Sequence, residues 1–364
     1  MKIFLTSILL ASSFAAVAQS NYKESSNNFA MYTKSGELNK LENARKFIDE
    51  AYKTKRDSSN SRTNILRAMI YSSLAYADSN RTIKTAKDPI DISYDAIGKL
   101  KRRDIESYES ELKYSRQNLA AAHIFKANKA LEKEDFQSAY DNYLKVRALK
   151  VDNKDVTYNL ALLATQTGKN ENAVDFYKQL LSTGNASPEN YLELAQLYLK
   201  LNERQTALNV LQEGRTKFID NQAILLQLIQ LFAENKSYNA IVPIIDEALK
   251  ADPENIELIY LAGFSNESEG NVEVSKKYYA DVLKLDENNF ESNLALGLIF
   301  LGNFLKDADN VESQYHAQDF LLKANEIRPY DVNALKSLAL YYQHADDPEQ
   351  LDRVKLLLNQ LSNN

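Results

Sequence analysis

Residues 187–211 read SPENYLELAQLYLKLNERQTALNVL. Tyr191, Leu194, Ala195 and Tyr198 recur at the spacing that puts them on one face of a helix, and Ala207, Leu208 and Leu211 repeat the pattern after polar Asn202, Glu203 and Arg204. Two apolar stripes of helical period joined by a short polar turn make a helical hairpin. Ser187 and Pro188 open it, a hydroxyl cap followed by a residue whose fixed φ suits the first helical position.

The small residues of this hairpin recur along the chain. Ala127, Ala161 and Ala195 stand 34 residues apart, and each is followed twelve residues later by Ala139, Ala173 or Ala207. Gly263 lies two periods beyond Ala195 and Gly297 a further period on, with Ile229 in the intermediate slot. A small side chain on each helix lets the two backbones approach closely, and a large one there overpacks by about 1–3 kcal/mol. Gly168 and Gly270 fall where the chain turns between helices.

Composition agrees. The 364 residues include only 9 Gly and 6 Pro, too few for the turns of a many-stranded sandwich or barrel. A net charge of −6 gives no basic field for nucleic acid. The run Lys99, Lys101, Arg102, Arg103 is answered at once by Asp104, Glu106, Glu109 and Glu111. Cysteine is absent, which excludes disulfides, thiol nucleophiles and thiolate metal sites. Lys2, the apolar run from Ile3 to Phe14 and the small residues Ala16, Val17 and Ala18 read as a signal peptide over 1–18, with a mature chain starting at Gln19. That predicts export, to a periplasm or cell envelope if the source is bacterial.

These residues resemble the tetratricopeptide repeat family, whose 34-residue unit carries W-x2-L-G-x2-Y, then A-x3-F, then P. Tyr191-x2-Leu194-Ala195-x2-Tyr198 is the best match; Ala139-x3-Tyr143 and Ala173-x3-Tyr177 supply the second element, and Pro253 and Pro329 the third. Units then begin near 120, 154, 188, 222, 256, 290 and 332, about seven repeats over 120–364 with a C-terminal capping helix from about Pro348 to Leu361. The sixth unit has eight extra residues near Phe304 to Glu312, predicting a protruding loop or lengthened helix ends. Residues 19–119 read as irregular, divergent hairpins: Leu41, Ala44, Ile48 and Ala51 form one stripe, Ile65 to Tyr76 another helix, and Asp88-Pro89 a cap. Asp57 to Ser61 and Ser79 to Lys87 read as loops. The expected fold is all-α, a right-handed superhelical solenoid of antiparallel hairpins, each borrowing its neighbour to bury its apolar face.

The resemblance implies a concave groove lined by the first helix of each hairpin, where protein partners are held. Read residue by residue, its lining is Tyr158, Leu162, Leu192, Gln196, Leu226, Gln230, Tyr260, Phe264, Leu294 and Leu298. Some members grip a C-terminal carboxylate with lysine and asparagine; Asn128 matches the asparagine, but Ile124 stands in the lysine's place. His123, His316 and His344 show no metal-ligand spacing, and no nucleotide, protease or esterase motif is present. The expected function is a non-catalytic scaffold for a protein partner, with no cofactor, metal or nucleic acid. A glycan-binding or glycan-processing accessory is the alternative, and it requires exposed Tyr158, Tyr260 or Phe264 near acidic residues.

Overall fold

The structure, a computed structural model, describes residues 20–152, 155–184 and 186–362. The expected signal peptide and Gln19 lie outside the described residues. Among those residues every regular element is helical. The chain divides into two compact units that meet between Ala186 and Ser187.

In the first unit, α1 (20–35) precedes α2 (Leu38–Ala51), the one-turn α3 (Lys55–Ser58), α4 (Ser61–Ala77), α5 (Pro89–Gly98), α6 (Arg102–Ser107) and α7 (Glu109–Leu131). α8 (Phe136–Ala148), α9 (Val156–Gln166) and α10 (Asn170–Ser182) complete it. Leu41, Ala44 and Ile48 of α2 are buried against Leu66, Ile70, Tyr71 and Leu74 of α4, with Phe29 of α1. Two expectations meet a different chain. Asp57 and Ser58 lie in α3, because the Thr54 hydroxyl accepts from the Asp57 N–H and starts a turn that composition alone does not announce. The division at 119/120 falls inside α7, which is 23 residues long.

The second unit holds α11 (Pro188–Lys200), α12 (Arg204–Lys217), α13 (Gln222–Glu234), α14 (Tyr238–Ile241), α15 (Ile245–Ala251), α16 (Ile256–Ser268) and α17 (Val272–Leu285). α18 (Phe290–Lys306), α19 (Val311–Ile327), α20 (Val332–His344) and α21 (Pro348–Ser362) follow. α14 and α15 occupy the place of one second helix. Pro243 has no N–H for the helical ladder, so the ladder stops after Ile241 and restarts at Ile245. The eight extra residues of the sixth hairpin are absorbed by lengthening: α18 and α19 have 17 residues each, joined by residues 307–310.

The period is written into the helix ends. Asn221, Asn255 and Asn289, 34 apart, cap α13, α16 and α18 by accepting from the N–H of Ile224, Leu258 and Ser292. At the hairpin turns, the N–H of Asp135, Lys169, Glu203, Ser237 and Asn271 donates to the carbonyl five residues back, at 2.8–2.9 Å. This is the Schellman closure of a helix, and it needs a left-handed residue just before the donor. Glu134, Gly168, Asn202, Lys236 and Gly270 all have positive φ, between 56° and 82°.

Packing explains the small residues. Ala127, Ala139, Ala161, Ala173, Ala195 and Ala207 are all buried. A Cβ on Gly263 would meet Tyr279 at 2.7 Å, and one on Gly297 would meet Leu321 at 2.8 Å. Tyr143, Tyr177 and Tyr198 are buried in the core.

Candidate functional site

The expected lining lies on first helices at i, i+4 spacing, so each pair shares a face. In the first unit Tyr158 and Leu162 are half-buried on α9. In the second unit the residues fall into two kinds. Gln196, Leu226, Gln230 and Leu298 are exposed, the two leucines at 43% each. Leu192, Tyr260, Phe264 and Leu294 are half-buried.

The half-buried aromatics serve packing as well as surface. Tyr260 and Phe264 stack with centroids 6.3 Å apart, Tyr238 of α14 meets Phe264 edge-on at 5.1 Å, and Tyr260 leans on Tyr279 of α17 at 5.5 Å. Burial raises the Tyr260 phenol above its ordinary range, and Glu291 and Glu267 add to it, so it stays a neutral hydroxyl. Leu294 packs against the cluster of Phe290, Ala324 and Ala334. The structure thus joins Tyr260 and Phe264 into one aromatic ladder, while Leu226 and Leu298 stand out from their helices.

Sequence reading missed two concavities. In the second unit, the break at Pro243 leaves an apolar cleft of about 590 Å³ lined by Leu228, Phe232, Ala240 and Ile244, with Ile219 and Arg215 at its side. Pro243 signals the break in the second helix but not the cleft. In the first unit a smaller pocket is lined by Arg45, Asp49, Arg67 and Tyr71. Its lining comes from α2, α4, α5 and the segments beside them, so no local pattern joins them.

His123 is buried, at 2% exposure, and ties three helices of the first unit together. Its Nε2 faces the Tyr94 hydroxyl of α5 at 3.1 Å and its Nδ1 faces Asn142 Oδ1 of α8 at 2.9 Å. A carbonyl oxygen only accepts, so Nδ1 carries the proton and Nε2 accepts from the phenol. Burial lowers its pKa below the usual histidine range, partly opposed by the Asn142 bond. Among the described residues no three His, Cys, Asp or Glu side chains converge as a metal site.

The tetratricopeptide repeat model matches residues 112–325. The chain belongs to the tetratricopeptide repeat family. Solved structures similar to it include MamA, 19% identical, covering 46% of this chain and 92% of that one, with a TM-score of 0.38. YrrB, described as a TPR protein with an unusual peptide-binding site, is 16% identical over 51% of this chain and 94% of its own, with a TM-score of 0.38. The C-terminal part of a TPR repeat-containing protein from Cytophaga hutchinsonii is 15% identical over 65% of this chain and 95% of its own, with a TM-score of 0.48. No curated protein matches the sequence. Tetratricopeptide repeat proteins are in general protein–protein interaction scaffolds and not catalysts. Among the described residues no helix is long and apolar enough to cross a membrane.

Proposed function

We propose that this tetratricopeptide repeat protein is a non-catalytic scaffold of a bacterial periplasm or cell envelope that holds a segment of a protein partner against its first helices. The observation that carries this reading is the apolar row left open on those helices. Leu226 and Leu298 present 43% of their surface, and Gln196 and Gln230 are exposed on first helices α11 and α13. Apolar anchors flanked by amides suit an amphipathic or extended segment that buries side chains and is oriented by polar contacts. Tyr158 and Leu162 are half-buried on the first helix α9 of the other unit. Half-buried Leu192, Tyr260, Phe264 and Leu294 would form the floor on which a partner rests. Export rests on Lys2, the apolar run to Phe14 and the small residues at 16–18.

The test is site-specific photo-crosslinking in intact cells. A photoreactive residue at 226 or 298 should yield a discrete protein adduct, and one at Leu322, equally exposed on the second helix α19, should not. Equal adducts at all three positions, or none at 226 and 298, would remove this face as the site. A periplasm-dependent reporter fused after Asn364 tests export separately; an inactive reporter rejects the location and leaves the crosslinking result standing.

A further inference from the structure

The pocket of the first unit is overloaded with positive charge. It has a volume of about 340 Å³ and is lined by Arg45, Asp49, Tyr52, Lys53, Arg67, Tyr71, Lys84, Thr85, Ala86 and Ile92, drawn from α2, α4, α5 and the segments beside them. Four cations therefore surround the single lining carboxylate. Lys53 pairs with Glu50 at 2.7 Å outside the lining, which leaves two positive charges unmatched.

Asp49 has little more to give. Its carboxylate accepts from Arg45 at 3.2 Å, from Arg67, and from the Tyr71 hydroxyl at 2.8–2.9 Å on both oxygens. The two arginine side chains sharing it are only 16% and 14% exposed. Arg45 Nε is buried with no hydrogen-bond partner. The Arg67 guanidinium lies 4.3 Å from the Tyr52 ring and 4.7 Å from the Tyr71 ring, so its faces are occupied while most of its edge donors are not. Lys84 stands exposed at the pocket wall and makes no ion pair among the described residues. Two half-buried guanidiniums share one carboxylate, and the positive charge that Asp49 leaves unmatched favours a second anion at the guanidinium edges that remain open. Planar guanidinium edges match the oxygens of phosphate and carboxylate.

We propose that this pocket binds the phosphate group of a small phosphomonoester, with Arg45 and Arg67 as its inner donors and Lys84 at its outer side. A phosphomonoester carries close to two negative charges at pH 7, which balances the two unmatched cations. Pockets of this size hold small molecules. Tyr52, Ala86 and Ile92 supply a wall for the organic part. Burial first, then Asp49, raises the Tyr71 phenol far above its ordinary range, so it remains a donor to Asp49 and adds no negative charge to the pocket. This proposal does not depend on the partner-binding face, since none of these residues lies on it.

The experiment is calorimetric titration of the chain, without residues 1–18, with inorganic phosphate, phenyl phosphate and malonate in chloride buffer at constant ionic strength. Both phosphates should give saturable heats, and phenyl phosphate should bind more tightly than inorganic phosphate. Lys84→Glu should weaken both about tenfold or more, since charge reversal on an exposed side chain changes attraction without touching the core. Its circular dichroism and melting temperature should stay at the original values. A second variant, Lys84→Ala, should also weaken binding, by less than the charge reversal. Absence of saturable heat with either phosphate overturns the proposal. So does malonate binding more tightly than phosphate, or phosphate binding unchanged in both variants.

Discussion

The left-handed turn residues show most directly what the period demands. Glu134, Asn202 and Lys236 have φ of 58°, 63° and 56°, at the positions where Gly168 and Gly270 have 72° and 82°. An L side chain in that region costs about 1–2 kcal/mol, and glycine gives back part of the gain through greater freedom in the unfolded chain. Lys236→Gly should therefore stabilise by about 0.5–1 kcal/mol, and Gly270→Ala should destabilise by about 1 kcal/mol, read from urea unfolding. Opposite signs would show that the turn geometry is not imposed on those residues. Gly263 is a packing glycine. Tyr279, fully buried and donating its hydroxyl to Glu267 at 2.6 Å, cannot retreat easily, so Gly263→Ala should destabilise by about 1–3 kcal/mol. His123 makes stability depend on pH. The unfolded imidazole takes its proton near pH 6.5, while burial delays protonation in the folded chain, so stability falls as pH drops below about 6.5 toward the folded value. The urea midpoint should fall between pH 7.5 and 5.5 by more in the original protein than in His123→Gln.

At the scale of elements, the two hairpins that depart from the pattern do so for different reasons. In the sixth, the added residues lengthen both helices, and Leu301 and Phe304 of α18 use the extra turn to join the cluster of Tyr341, Tyr342 and Val354. In the hairpin of α13, a single residue breaks the second helix. Pro243→Ala supplies the missing N–H, and the segment from Tyr238 to Ala251 should then run closer to one helix. Greater ellipticity at 222 nm and slower amide exchange at 242–245 are the expected readings. Unchanged exchange would mean that packing around Ile241 and Ile245, and not proline, sets the break. The break went unread in the sequence, although Pro243 marked it. The cleft beside it carried no such mark, because its walls come from α12, α13 and α14, and only packing brings them together.

Within each unit, hairpins complete their cores with their neighbours, and stability in such arrays is close to a sum of local terms. Leu225 is fully buried in the cluster of Ile229, Ile241 and Ile245. Leu225→Ala should destabilise by about 2–5 kcal/mol and raise amide exchange in α13 to α16, leaving α4 and α7 at their original rates. Exchange rising equally in all these helices would mean that the chain unfolds as one cooperative body.

The helical class, the hairpins and the 34-residue phase were determined by sequence alone, since alternating stripes and paired alanines are local patterns set by helix geometry. The row on the first helices was named through the family resemblance, and i, i+4 spacing fixes only that the two residues of each helix share a face. Only tertiary structure decided how that row divides. Tyr260 is drawn into an aromatic ladder with Tyr238, Phe264 and Tyr279, whereas Leu226 and Leu298 stay open. It alone brought Arg45, Arg67 and Lys84 around Asp49. Burial depends on which neighbour covers a face, and that neighbour lies on another helix, beyond the reach of any local pattern.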